Sequence, residues 1–148
     1  MDEPRAVRRA AFQALYQLDA CDGNDMDMVD ASLETCEGLT TAGRAKAKTL
    51  AHAAWLDRRQ ADAAMLEFAP TWPANRQAAV DRAILRLAYH EIVTARVAPA
   101  IAINEAVELA KQFSADKSPG FVNALLDRIA QRFAGQVQTA AQDGADTL

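Results

Sequence analysis

The residues best suited to chemistry stand together at Asp116-Lys117-Ser118-Pro119-Gly120-Phe121. Serine followed by proline predicts the N-cap and first residue of a helix. A helix start presents unpaired N–H groups and the positive end of its dipole, so it attracts anions, and Lys117 adds a cation. Phe121 falls about a third of a turn from the centre of the apolar stripe that follows it: Val122, Leu125, Leu126, Ile129, Ala130 and Phe133. An exposed phenyl ring beside a phosphate site suits single-stranded RNA, whose splayed bases stack on aromatics at about 1–3 kcal/mol each. Spacing alone leaves open, and slightly favours, a Phe121 folded back on a neighbouring helix.

Catalysis finds no comparable support. His52 and His90 stand isolated, no Ser or Cys nucleophile has an obvious base, and neither a Gly-rich phosphate loop nor a metal motif occurs. Cys21 and Cys36 are the only cysteines, with no histidine at metal-ligand spacing. That fits a reduced cytoplasmic protein without metal or cofactor. Arg82, Arg86 and His90 recur at i, i+4 and i+8. This stripe could meet phosphate, but a solvated helix face is the expected account. Met1-Asp2-Glu3-Pro4-Arg5 lacks the apolar core of a signal peptide, and no run of about 18 apolar residues predicts a membrane span.

The elements that must position these residues are helical. The chain has 148 residues, of which 51% are hydrophobic but only 6% aromatic. The hydrophobic share is inflated by alanine, which loses least on entering a helix. Pro4 opens a helix to about Asp19, with Val7, Ala11, Ala14, Leu15 and Leu18 on one face. Arg5, Arg9, Phe12 and Tyr16 share roughly the opposite face, where the two rings either pack under a neighbour or stay open. Residues 21–28 form an acidic loop, 28–37 a short helix closed by Gly38, and 41–68 a helical stretch with Arg58-Arg59 as a solvated turn. Pro70 and Pro73, around Trp72, end it.

Residues 75–96 predict a central helix, apolar over a wide arc. Residues 100–113 place Ala102, Ala106, Leu109, Ala110 and Phe113 inward, and Asn104, Glu105, Glu108, Lys111 and Gln112 outward. The last helix starts at Ser118. Residues 1–134 form one domain, and 135–148 have little to bury and predict an unstructured tail. The net charge of −4 argues against strong nonspecific RNA binding by this chain alone. It suits a basic protein partner.

Three ordered segments carry a resemblance. Val80-Asp81-Arg82-Ala83-Ile84-Leu85-Arg86-Leu87-Ala88, then Ala102-Ile103-Asn104-Glu105-Ala106-Val107-Glu108-Leu109-Ala110-Lys111, then Phe121-Val122-Asn123 with Leu126-Asp127, resemble the successive motifs of the NusB family. Arg8-Arg9-Ala10 and Gln13-Ala14-Leu15-Tyr16 are similar to its opening helix. The resemblance is strong from Trp72 onward and weak between Cys21 and Ala69. It implies an all-α, NusB-like fold of about six to seven helices in two packed subdomains. It also implies a non-enzymatic transcription antitermination adaptor that pairs with a small-subunit ribosomal protein, NusE, on boxA-type RNA in an RNA polymerase complex.

By position, the resemblance carries RNA contacts onto Arg5, Arg8, Arg9, Lys117, Ser118 and Phe121, and ribosomal-protein contacts onto Tyr16 and Asp81. The chain departs from the family where Asp2 and Glu3 precede Pro4, where Gly120 replaces a common lysine, where Lys117 replaces a common acidic residue, and at Ala53, a frequent glycine. Two other readings stay open: the NusB-like domain of an RNA cytosine methyltransferase, and an interaction-only helical module. The Phe12 and Tyr16 face would also permit a homodimer.

Overall fold

Apolar residues recurring every three to four positions have one economical outcome, and in the computed structural model every regular element among the described residues is a helix. It describes residues 4–146, with side chains for residues 4–134. Seven α-helices follow in order: α1 (Pro4–Ala20), α2 (Met26–Glu34), α3 (Thr41–Leu56), α4 (Arg58–Phe68), α5 (Ala79–Val93), α6 (Pro99–Phe113) and α7 (Ser118–Asp146). A single 3-10 turn, Ala74–Arg76, precedes α5. The side chains after Ala134 lie outside the described residues; the backbone of α7 runs on as helix to Asp146, through most of the stretch 135–148 where the sequence predicts an unstructured tail.

The helices sort into two packed sets. The first three pack on one another, with α1 against α3, and α6 packs on α7 in the second set. Between them α5 touches α1, α3, α4, α6 and α7, so one continuous core joins both sets. The stripe Val122, Leu125, Leu126, Ile129 and Ala130 is buried as the periodicity predicts. Two expectations about orientation need correction. Phe113 is partly exposed, while Glu105 turns inward to meet Arg5 and Arg8.

The stretch 41–68 is two helices rather than one. At Asp57 the backbone N–H reaches the Ala53 and Trp55 carbonyls, and the chain changes direction. Arg58 folds back over this corner, donating to the Trp55 carbonyl (2.9 Å) with its guanidinium 4.0 Å from the Trp55 ring centroid. It is therefore part of the corner, and only Arg59 is the solvated cation expected there. At the end of α1, Gly23 has φ +72°, and an added Cβ would lie 3.0 Å from Trp55 Nε1. Only glycine combines that backbone with that approach.

The stripe on α5 is the largest departure from expectation. Arg86 is buried, and Arg82 and His90 are turned toward acidic partners rather than water. Arg82 Nε donates to Asp19 (2.9 Å) and its Nη1 to the Ala74 carbonyl (2.7 Å). Arg86 donates to Asp62 through Nε (3.0 Å) and Nη2 (2.8 Å), and to Asp19 through Nη1 (3.1 Å). His90 Nδ1 lies 2.6 Å from Asp57. Burial alone would pull the Arg86 guanidinium down, but the hydrogen bonds and charges of Asp62 and Asp19 overcome it and raise it above the usual arginine value.

On the other side of α5, Glu91 is 0% exposed and receives both arms of Arg8, at 2.9 and 2.8 Å. The hydrogen bond to Glu91 raises Arg8 above the ordinary arginine value, against the desolvation that would lower it. Removing one member of such a pair leaves a buried charge without its counterpart. Glu91→Ala should therefore lose about 3–5 kcal/mol of unfolding free energy in a urea titration, and replacing Arg8 and Glu91 together by apolar residues of similar volume should lose much less.

Candidate nucleic-acid and partner interface

Helix α1 sets out its residues along α6, and the order of contacts fixes the site. Near the start, Arg5 is 65% exposed in its side chain and holds Glu105 at 3.1 Å. Arg9, exposed, shares a shallow depression with Glu105, Glu108, Leu109 and Gln112. One turn on, Phe12 is buried with its ring centroid 5.3 Å from that of Phe113, which settles it as a packing residue. Tyr16 is 42% exposed and flanks a groove of about 330 Å³ with Phe12, Gln13, Gln17, Val80 and Phe113. Cations thus lie at one end of this edge and rings at the other.

Of the three arginines expected to face RNA, Arg5 and Arg9 do reach solvent. Arg8 does not. Its guanidinium is committed to Glu91 and lies within 3.8 Å of Glu105, so it fixes α1 on α5 and α6 instead.

The turn between α6 and α7 is held from beneath by Asp81. This residue, expected at the partner surface, is only 4% exposed. Ser114 Oγ donates to its Oδ1 (2.5 Å) and Ser118 Oγ to its Oδ2 (3.1 Å), with the two hydroxyls 2.9 Å apart. The Ser118 hydroxyl is consequently turned inward and is neither a helix cap nor a surface group. Pro119 has no N–H to offer, and the Phe121 N–H goes to the Lys117 carbonyl (3.4 Å). The expected anion site at this helix start is therefore poorer than the sequence implied, and the exposed Lys117 is its main attraction for phosphate.

Phe121 satisfies parts of both readings. Its side chain is 39% exposed, yet its ring meets that of Trp72 at 4.2 Å between centroids and 77° between planes. Trp72 comes from the proline-bracketed corner before α5, and no sequence signal placed it beside Phe121. Beside the ring, a Cβ built on Gly120 would meet nothing within 4 Å.

Among the described residues, no group of three or more His, Cys, Asp or Glu could hold a metal ion. Nor is any of their helices long and apolar enough to cross a membrane. What the surface offers is recognition: separated cations, partly open rings and a shallow groove. Asp81→Ala should leave two hydroxyls without their acceptor, lowering stability by about 1–3 kcal/mol and speeding amide exchange across residues 114–118. Unchanged exchange there would mean that this carboxylate does not hold the turn.

Comparison with known proteins agrees with this architecture. The NusB family model matches residues 5–131. The chain is 40% identical over 130 residues to the transcription antitermination protein NusB of Herpetosiphon aurantiacus, covering 85% of this chain and 88% of that protein. It is 39% identical over 140 residues to the protein of that name from Symbiobacterium thermophilum, covering 88% and 91%. Among solved structures it is similar to T. maritima NusB, with TM-score 0.78 and 29% identity over 88% of this chain and 93% of that one. It shares the fold of a chain in a crystal structure of the antitermination factors NusB and NusE with dsRNA (TM-score 0.75, 23% identity, 86% and 96% covered).

Proposed function

The chain belongs to the NusB family, and from that premise we propose that it is an RNA-binding adaptor of transcription antitermination. In this reading it pairs with a NusE-type ribosomal protein on boxA-type single-stranded RNA within an RNA polymerase complex. It performs no chemistry of its own and works in the cytoplasm. The observation that carries the reading is the match to the family model over residues 5–131; it is supported by the exposure of Arg5, Arg9 and Tyr16 on α1 and of Lys117 and Phe121 at the start of α7.

Each group then has a defined task. Arg5 and Arg9 meet phosphates. The exposed Arg5–Glu105 pair contributes under about 1 kcal/mol, so a phosphate can take over that guanidinium. Lys117 supplies a further cation beside Phe121, whose open face receives an unpaired base. Arg8 acts from within by fixing the helix that carries the other two arginines. Tyr16, with Val80 and Phe113, offers the apolar groove to the protein partner, and Asp81 supports it from below. A net charge of −4 draws in a basic ribosomal protein and favours its rapid, oriented encounter. The burial of Arg8 and the pairing of Arg5 with Glu105 favour one second reading, an interaction-only module that has lost its RNA contacts.

Titration of boxA-type RNA with and without the ribosomal partner separates the two. The adaptor should bind RNA more tightly with its partner present. Three cations contacting a single strand should give a log–log salt slope of about −2 for the chain alone. Phe121→Ala should weaken binding by about 1–3 kcal/mol while the fold persists. No RNA binding by the chain alone, with binding by the complex no tighter than by the ribosomal partner and indifferent to this substitution, would leave the interaction-only reading. Gly120→Lys, which has open space beside it, should fold normally, tighten RNA binding, and steepen the salt slope by about 0.7.

A further inference from the structure

Trp72 is held firmly for a residue outside the α-helices. Pro70 and Pro73 stand on either side of it, each with φ fixed by its ring. Its N–H reaches the Ala69 carbonyl (3.0 Å), and its own carbonyl accepts from Gln77 Nε2 (3.2 Å), a side chain buried at the foot of α5. The ring is nonetheless only half-buried, and its aromatic partner, Phe121, is one of the exposed large apolar side chains. Trp72 rests part of its ring on the core and leaves the rest open beside Phe121. With planes 77° apart and centroids at 4.2 Å, the two rings form a right-angled corner. A flat ring laid face-on against one of them meets the other with its edge, which are the two favourable aromatic geometries.

The approaches to this corner favour a nucleotide. Lys117 lies one helical turn before Phe121, and Arg76 ends the short turn that follows Trp72. Both are exposed, and neither forms an ion pair with the described residues. Gly120 leaves the flank of the corner open. Two exposed cations, each four residues along the chain from one of two orthogonal rings, match the needs of one base with its flanking phosphates.

We propose that Trp72 is a second base-contacting residue, forming with Phe121 a two-walled seat for a single unpaired nucleobase. This rests on the RNA-binding reading above and adds to it the residue that makes the seat selective for a flat ring in one orientation.

Tryptophan emission tests it directly, because Trp55 and Trp72 are the only tryptophans and Trp55 is buried under Arg58. Single-stranded boxA-type RNA should quench emission of the wild-type chain in complex with its ribosomal partner, taking partner alone as the blank. The quench should vanish in Trp72→Phe, which should keep most of the affinity. Trp72→Leu should lose roughly tenfold or more in affinity for fluorescently labelled RNA, with its thermal unfolding midpoint and partner affinity close to those of Trp72→Phe. If labelled RNA binds but emission stays unchanged and Trp72→Leu binds like the wild type, the seat is wrong while the adaptor reading stands. If labelled RNA does not bind at all, the adaptor reading falls and the seat falls with it.

Discussion

A guanidinium taken out of water costs several kcal/mol unless carboxylates meet it in good geometry, and α5 takes charged groups inside on two of its sides. Arg82, Arg86 and His90 look toward Asp19, Asp62 and Asp57, while Glu91 looks toward Arg8. These pairs dictate where α1 and α4 can sit around α5. Apolar packing would tolerate small slides of one helix along another; a bidentate arginine–carboxylate pair does not. The exposed edge of α1 inherits its position from that internal registration. Arg5, Arg9 and Tyr16 point where they do because Arg8 and Asp19, on the same helix, are already committed inward.

The sequence reveals the parts of this fold that depend on local period and hides those that depend on pairing at a distance. The stripes of α1 and α7 were legible because a helix with one wet face repeats its apolar residues every 3.6 positions. The basic stripe of α5 obeys the same spacing, and from spacing alone polar residues belong in water. Its partners lie in other helices, as with Arg82 and Asp19 or Arg86 and Asp62, and no local pattern links them. The break at Asp57 was missed for a related reason. Nothing in the residue types of 41–68 forbids a continuous helix, and the corner is held by Arg58, Trp55 and the carboxylate that His90 meets.

The candidate site divides along the same line. Family resemblance pointed to Arg5, Arg9, Tyr16, Lys117 and Phe121, and all five are exposed. It could not distinguish an exposed side chain from one whose polar atoms are spent inside the fold. Arg8, Asp81 and Ser118 are of the latter kind, since their polar atoms go to Glu91 and to one another. Trp72 is the converse case, an aromatic that looked like loop punctuation between two prolines until the fold set it against Phe121.

Asp19 stands at the last turn of α1 and serves two guanidiniums of α5 with its two oxygens. The opening helix is therefore no interchangeable module. A chimera borrowing α1 from a relative must bring an acid at this point and an arginine three turns upstream, or the graft will leave Arg82 and Arg86 short of an acceptor and Glu91 buried without its cation. Evolution faces the same restriction: the outward face of α1 is free to drift, while Arg8 and Asp19 can change only together with residues in the second half of the chain.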